Sequence, residues 1–103
     1  MAETTNFDWD EANIRHIAEH GVLPAEAEEV IQNNPLDLEH QVRNGERRTM
    51  QIGGPHSGRV LVVVTTLRGK MLRVVTAFPA NREYRAFYRQ QREGDEHGKA
   101  RFS

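Results

Sequence analysis

The stretch VLVVVTTLRGKMLRVVTAF, residues 60–78, decides the fold of this 103-residue chain. Its first part, Val60–Leu67, is apolar on both faces of an extended chain, which predicts a central strand covered on both sides. The turn Arg68-Gly69-Lys70 then leads into a second predicted strand, Met71–Phe78. In that strand alternation would place two sets of residues on opposite faces: Leu72, Val74 and Thr76 on one, and Arg73, Val75 and Ala77 on the other.

Two more strands are predicted upstream, over residues 36–42 and 47–52. They flank Asn44-Gly45, a dipeptide typical of tight hairpin turns. In the second of them, side-chain alternation puts Met50 and Ile52 on one face. The other face would carry Arg47, Thr49 and Gln51.

The N-terminal third has a helical period. Asp8 or Asp10 can cap a first helix that runs to about His20, and Gly21 can end it in the left-handed conformation. Pro24 suits the first position of a second helix, which Asn33-Asn34-Pro35 would stop. The expected buried stripes are Ile14, Ile17 and Ala18 in the first helix, with Phe7 and Trp9 at its entry, and Ala27, Val30 and Ile31 in the second.

After Pro79, Asn81 can cap a last helix with Tyr84, Phe87 and Tyr88 on one stripe. The predicted order is ααββββα, an α+β fold with a four-stranded, mainly antiparallel sheet. The length allows one domain, which we place at residues 1–92. Residues 93–103 are rich in glycine and charge and are expected to form a flexible tail.

The composition excludes several kinds of functional site. The chain has no cysteine, so disulfides, thiolate metal sites and a cysteine nucleophile are excluded. The acidic N-terminus has no apolar segment of the kind found in signal peptides. The longest apolar run, residues 60–64, is far shorter than a membrane span. We therefore expect a cytoplasmic protein that does not associate with a membrane.

Charge is divided unevenly along the chain. Residues 1–40 carry ten acidic side chains and one basic one, whereas residues 41–103 carry five acidic and thirteen basic ones. The basic part is a candidate surface for RNA or for an acidic partner. The alternative is that acidic helices pack on a basic sheet and neutralise it within the fold.

A family resemblance rests on an ordered series of fragments rather than on any one of them. The fragments are Phe7–Asn13, His20–Val22, Ala25–Val30, Gly58–Thr65, Arg73–Ala77, the pair Arg82-Glu83, and Tyr88. In this order and spacing the chain resembles the BrnT family of type II toxin–antitoxin toxins. The resemblance implies a RelE-like fold and metal-independent endoribonuclease activity on messenger RNA, with no cofactor. It also implies a BrnA-type ribbon-helix-helix antitoxin as partner, with a dimer or a toxin–antitoxin heterotetramer as the assemblies to consider.

The chain departs from the family pattern at two places. Such proteins usually read Ser-Ala-Arg-Lys where this chain has Thr76-Ala77-Phe78-Pro79, and a lysine usually stands where this chain has Glu19. The positive charges of these residues are therefore absent from the implied RNA site, and at Glu19 a negative charge replaces one of them. This favours a second hypothesis, a catalytically inactive relative that serves as a protein-interaction module.

RNA cleavage without a metal needs a base for the 2′-hydroxyl, cations at the phosphate and an acid for the leaving oxygen. Arginine is the best phosphate ligand, because its planar fork donates two charge-assisted hydrogen bonds. Arg73 and Arg82 are the first candidates for catalysis, and further RNA-binding candidates are Arg47, Arg48, Arg59 and Arg85. The alternative for each is a solvated surface arginine.

Proton transfer has three candidates: His20, Glu83 and Tyr88. Tyr84 lies one helical turn from Tyr88 and could stack on a base. The alternatives are a structural histidine at a helix end, an exposed Arg82–Glu83 pair, and tyrosines that pack in the core.

Two other functions are weaker. The segment His16-x-x-Glu19-His20 spells the zinc motif of inverted zincins, but such enzymes need a third ligand and a large substrate lobe, so we predict no metal site. An unrelated small-molecule enzyme is the third hypothesis, which no glycine-rich phosphate loop or nucleophile elbow supports.

Overall fold

A computed structural model of the chain describes residues 6–55 and 57–102. Over these residues the elements are α1 Glu11–Glu19, α2 Pro24–Gln32, β1 Leu36–Arg43, β2 Glu46–Gly53, β3 Leu61–Arg68, β4 Met71–Pro79 and α3 Arg82–Phe102. The predicted α+β fold and the order ααββββα are confirmed. The domain boundary at residue 92 and the flexible tail stay predictions, and Ser103 lies outside the described residues. Each helix of this part of the chain is too short or too polar to traverse a membrane.

The four strands form one antiparallel sheet in the order β1-β2-β3-β4. Asn44 and Gly45 both have positive φ, 53° and 77°, as the tight turn between β1 and β2 requires. This turn and the turn at Gly69 lie at the same end of the sheet, the hairpin end. At the outer edge of β4 a short N-terminal segment adds a parallel bridge between Phe7 and Leu72.

The two faces of the sheet are covered differently. α1 and α2 pack on one face, the α1–α2 face, over a buried cluster: Ile17, Val22, Ala27, Val30, Leu61, Val63, Val74 and Ala77. The opposite, α3 face holds a second cluster of Ile52, Val62 and Ala80, against which Tyr84 and Tyr88 of α3 pack. β3 is therefore buried from both sides, as its continuous apolar run predicts.

Most local signals in the N-terminal third are confirmed, but the stripe of α1 is not. Asp10 caps α1, Gly21 follows it at φ 76°, and Pro24 opens α2. Ile17 is buried as predicted, whereas Ile14 is 40% exposed and Ala18 is exposed. The buried neighbour of Ile17 is instead Asn13. The physical reason is that α1 lies along the outer edge of β4, where a narrow stripe suffices to cover the core.

The predicted alternation in β4 is wrong because the strand contains a β-bulge. Val64 pairs with Thr76, but the next residue of β3, Thr65, pairs with Val74, so Val75 is an extra residue. Val74 and Ala77 consequently both join the core cluster of the α1–α2 face. Past the bulge, Arg73 pairs with Thr66 and lies on the α3 face rather than on the face of Ala77.

Candidate functional site

A polar stripe formed by α1 and its two caps runs along the outer edge of β4. Its four members are spaced by three or four residues, so they lie on one side of the helix: Asp10, Asn13, His16 and His20. Asn13 donates its side-chain amide to the carbonyl oxygen of Val74 at 3.0 Å. Because that carbonyl lies at the bulge, the stripe satisfies a backbone group that a regular strand edge would leave to solvent.

Arg73 anchors the start of this stripe. Its Nη2 lies 2.7 Å from Asp10 Oδ2, and its Nη1 lies 3.5 Å from Asp8 Oδ2. The hydrogen bond from Arg73 lowers the pKa of Asp10, and the same bond raises the pKa of Arg73. The Arg73 side chain is only 16% exposed. A first-ranked candidate for catalysis thus sits beside two carboxylates of the N-terminal segment.

Two histidines occupy the other end of the stripe. His16 Nε2 lies 3.0 Å from Thr76 Oγ1, and the His16 and His20 rings meet edge to face with centroids 5.3 Å apart. The His20 ring also contacts Phe78, with centroids 6.3 Å apart. Both histidines are exposed. The predicted site residue His20 therefore lies beside β4, on the same strand edge as Arg73.

On the α3 face, one row of paired residues crosses all four strands near the hairpin end. Gln41 pairs with Arg48, Arg48 with Thr66, and Thr66 with Arg73. Paired residues of neighbouring strands point to the same face. The row therefore brings Arg48 and Arg73, which are 25 positions apart in sequence, onto one side of the sheet.

The two arginines of this row border a buried threonine. Thr66 is 3% exposed and donates its hydroxyl to the carbonyl oxygen of Arg47 at 2.7 Å. Arg48 donates from Nε to Glu46 at 3.3 Å, which leaves the rest of its guanidinium available to a phosphate. The row thus places two cations on one surface, as a phosphate-binding site needs, while the Thr66 hydroxyl is used within the sheet.

α3 contributes an arginine ridge beside its packed tyrosines. Asn81 caps the helix through a 2.8 Å bond to the Tyr84 amide, as predicted. Arg82, Arg85 and Arg89 recur at three- and four-residue spacing and are exposed. Arg85 donates to the carbonyl oxygen of Ala80 at 2.9 Å. The side chains of Arg82 and Glu83 make no hydrogen bond or ion pair with another described residue.

The two tyrosines of α3 are half-buried. Tyr84 and Tyr88 pack against the cluster of the α3 face, as the core-packing alternative expects. The Arg92 guanidinium lies 5.1 Å from the centre of the Tyr88 ring, and Arg92 also donates to the carbonyl oxygen of Asn34 at 2.5 Å. These contacts fix α3 across the sheet.

Two of the predicted RNA-binding residues lie away from this surface. Arg59 donates from Nη2 to the Gly21 carbonyl oxygen at 2.8 Å and to Glu26 Oε1 at 2.6 Å, so it joins the α1–α2 connection to the start of β3. Burial alone would raise the pKa of Glu26, but hydrogen bonds from Leu23, Ser57 and Arg59 outweigh it and leave that pKa below its ordinary value. Arg47 is exposed on the α1–α2 face.

Sequence reasoning missed three contributors to this surface. For His16, which the sequence places only in a zinc motif, the available signal is its i, i+4 spacing to His20. Asp8 and Asp10 are expected as helix caps, and their ion pairs with Arg73 follow the alternative in which acidic N-terminal residues neutralise basic residues of the sheet. Within the described residues, no three histidine, aspartate or glutamate side chains cluster as metal ligands would.

Comparison with known proteins adds one finding. The model of the family described as "Ribonuclease toxin, BrnT, of type II toxin-antitoxin system" matches residues 9–83, well over half of the chain. That range includes the polar stripe of α1 and the four-residue row on the α3 face. A search of curated proteins gave no match.

Proposed function

Since this chain belongs to the BrnT family of ribonuclease toxins of type II toxin–antitoxin systems, we propose that it is a metal-independent endoribonuclease that cleaves messenger RNA. In the proposed reaction the ribose 2′-oxygen attacks the adjacent phosphorus and the bond from phosphorus to the 5′-oxygen breaks. The products are a 2′,3′-cyclic phosphate and a 5′-hydroxyl end. The reaction needs a proton acceptor, a proton donor and cations at one phosphate.

The observation that carries the proposal is that Arg48 and Arg73 share the α3 face with a histidine pair at its edge. Arginine can bind two phosphate oxygens at once and stabilise the charge that develops on them. Asp8 and Asp10 hold Arg73 in position, and a phosphate can replace them because the Asp10 carboxylate is half exposed. The arginine ridge of α3 supplies further cations for neighbouring phosphates.

His20 is the proposed base, and His16 the proposed acid. The neutral His20 ring accepts the 2′-hydroxyl proton, and the protonated His16 ring donates a proton to the leaving 5′-oxygen. Their ring centres are 5.3 Å apart, which lets both rings reach one phosphodiester. Thr76 orients the His16 ring through its 3.0 Å hydrogen bond. Arg82, Glu83 and Tyr88 stay predictions as catalytic groups, and so do Tyr84 and Arg85 as contacts to RNA.

The proposed partner is an antitoxin of the BrnA type, a ribbon-helix-helix protein. The family implies an antitoxin, because a type II toxin is held inactive by a protein partner. The net positive charge of residues 41–103 suits an acidic partner as well as RNA. The cytoplasm is the proposed compartment, since messenger RNA is the substrate.

The test uses the purified protein and a single-stranded RNA oligonucleotide in buffer containing a chelator. We expect cleavage to persist in the chelator and to yield a 2′,3′-cyclic phosphate. The control is the same oligonucleotide with a 2′-deoxyribose at the cleaved position, which should remain intact. Cleavage of the deoxy control, or loss of cleavage in chelator, would contradict the mechanism.

A second candidate is the inactive interaction module, which Phe78 and Glu19 favour. The hydrophobic Phe78 contacts His20 at a position where the family usually has a cation. If the oligonucleotide stays intact and expression without an antitoxin leaves growth unchanged, this second function replaces the first.

A further inference from the structure

A second surface lies at the hairpin end of the α1–α2 face. There Val42 pairs with Arg47, and continuing the register of β2 and β3 by one residue places Arg47 beside Leu67. Val42 is 71% exposed and Leu67 is 68% exposed, although both are aliphatic. We call Val42, Arg47 and Leu67 the hairpin-end patch. Two aliphatic side chains on either side of one arginine form a row that α1 and α2 leave uncovered.

The patch borders a shallow groove with a mixed lining. Its lining consists of His40, Gln41, Val42, Arg47, Arg48 and Thr49. Thr49 Oγ1 lies 3.4 Å from His40 Nδ1. Two strongly exposed aliphatic side chains in one row beside a groove, rimmed by polar residues, have the character of a small binding surface. The side chains of the patch point to the opposite face of the sheet from the row of Arg48 and Arg73, and the groove meets that row at Gln41 and Arg48.

Charge identifies the kind of partner. Residues 42–48 and 67–72 carry five basic side chains and one acidic one, Glu46, which Arg48 already engages. The side chains of Arg43, Arg47, Arg68 and Lys70 make no ion pair with any described residue. A second copy of this chain docked symmetrically would bring these cations against each other, which disfavours a homodimer through this patch. These basic side chains are complementary to an acidic partner.

The apolar part of the patch indicates that its ligand is a protein rather than RNA. RNA recognition uses aromatic or arginine planes on which bases stack, whereas Val42 and Leu67 offer only aliphatic groups. Aliphatic side chains contribute to a protein interface by burial against other apolar side chains. The combination fits a peptide segment that carries apolar residues next to carboxylates.

We propose, on the basis of the toxin function above, that the hairpin-end patch is a docking site for an acidic, amphipathic segment of the antitoxin. The apolar residues of that segment cover Val42 and Leu67, and a carboxylate pairs with Arg47. An antitoxin docked there lies at the same end of the sheet as Arg48 but on the opposite face. Because Val42 and Leu67 point away from the α3 face, substitutions at these two residues separate antitoxin binding from RNA binding.

The experiment uses the protein encoded by the reading frame beside this gene, co-expressed and purified, as the probe. The double variant Val42→Glu and Leu67→Glu removes both aliphatic contacts and repels carboxylates. We expect it to bind the probe at least about 30-fold more weakly than the wild type, measured by calorimetry. RNA cleavage by the double variant should stay within about threefold of wild type, because its substitutions lie on the other face.

The matched control is the double variant Gln90→Glu and Gln91→Glu, which adds the same two negative charges at exposed positions of α3, outside the groove lining. It should bind the probe as the wild type does. Unchanged binding by the Val42→Glu and Leu67→Glu variant, or a wild-type protein that does not bind the probe, would overturn the docking proposal. So would a Val42→Glu and Leu67→Glu variant that loses RNA cleavage but keeps the probe, since the patch would then be an RNA surface. Failure of the wild type to cleave RNA would overturn the toxin function instead.

Discussion

The Arg73 guanidinium lies 2.7 Å from the Asp10 carboxylate, so an ion pair joins β4 to the residue that caps α1. The pair connects residues 63 positions apart. It orients the one arginine of β4 on the α3 face and at the same time fixes the start of the helix that carries both histidines. Fold and site therefore depend on the same contact.

Replacing Asp10 with serine tests this contact through pH. Serine keeps a cap for α1 but cannot pair with Arg73. Arg73 lowers the pKa of Asp10 below its ordinary value of 3.8, so the pair stabilises the fold above that value and loses this contribution as the pH falls through the lowered pKa. We expect wild type to lose stability more steeply than Asp10→Ser below about pH 4, measured by urea denaturation. If the stabilities of the wild type and Asp10→Ser fell in parallel with pH, the stabilising role of the Arg73–Asp10 pair would be contradicted.

Replacing Arg48 or Arg47 with alanine tests which face of the sheet binds RNA. Both variants lose one positive charge from adjacent positions, so general electrostatic attraction to RNA falls equally. We expect Arg48→Ala to raise KM for an RNA oligonucleotide about fivefold or more and Arg47→Ala to change it less than about twofold. Steady-state cleavage at fixed ionic strength is the measurement. Equal effects of the two substitutions on KM would contradict the proposal that RNA binds to the α3 face.

Replacing His20 with alanine tests the proposed base. We expect kcat to fall about 100-fold or more while KM changes little, because proton transfer rather than binding is lost. His40→Ala is the control, since His40 is exposed on the α1–α2 face near Thr49. Its kcat should match wild type. If His20→Ala cleaves RNA at the wild-type rate, another group accepts the proton.

Replacing Arg59 with alanine tests a structural role. Arg59 bonds to the Gly21 carbonyl and to Glu26, so its loss leaves a half-buried carboxylate without its cation. With its partial exposure taken into account, we expect the free energy of unfolding to fall by about 1–2 kcal/mol. Arg47→Ala, on an exposed strand position, should change it by less than about 0.5 kcal/mol. Urea denaturation at neutral pH distinguishes the two, and equal stabilities would exclude the structural role.

Local rules predicted the element order well. Gly21, Pro24, Asn44-Gly45 and Asn81 each act through their own backbone preference, so each was visible in the sequence and each stands where it was expected. These residues mark where the helices and strands begin and end. Together with the change from a helical to an extended spacing of apolar residues, they give the order ααββββα.

The site was less predictable, because it depends on register and on contacts between distant segments. The sequence Arg73-Val74-Val75-Thr76 suits a regular strand and a bulged one equally well, since two valines tolerate either face. The pairing of Arg73 with Asp8 and Asp10 joins segments more than 60 positions apart, which no local pattern reveals. The place of His16 in the site follows from its hydrogen bond to Thr76 of β4, a contact between distant segments that the local sequence does not show.

The bulge at Val75 makes the register of β4 a functional constraint in its own right. If the strand closed the bulge while keeping Val75, so that Thr65 paired with Val75, regular alternation would turn Arg73 toward the helices, away from Arg48 and the arginine ridge. Every amino acid of the site would still be present in the gene, yet its principal cation would face the wrong layer. A one-residue slip in β4 would thus abolish the site as completely as the loss of the arginine itself.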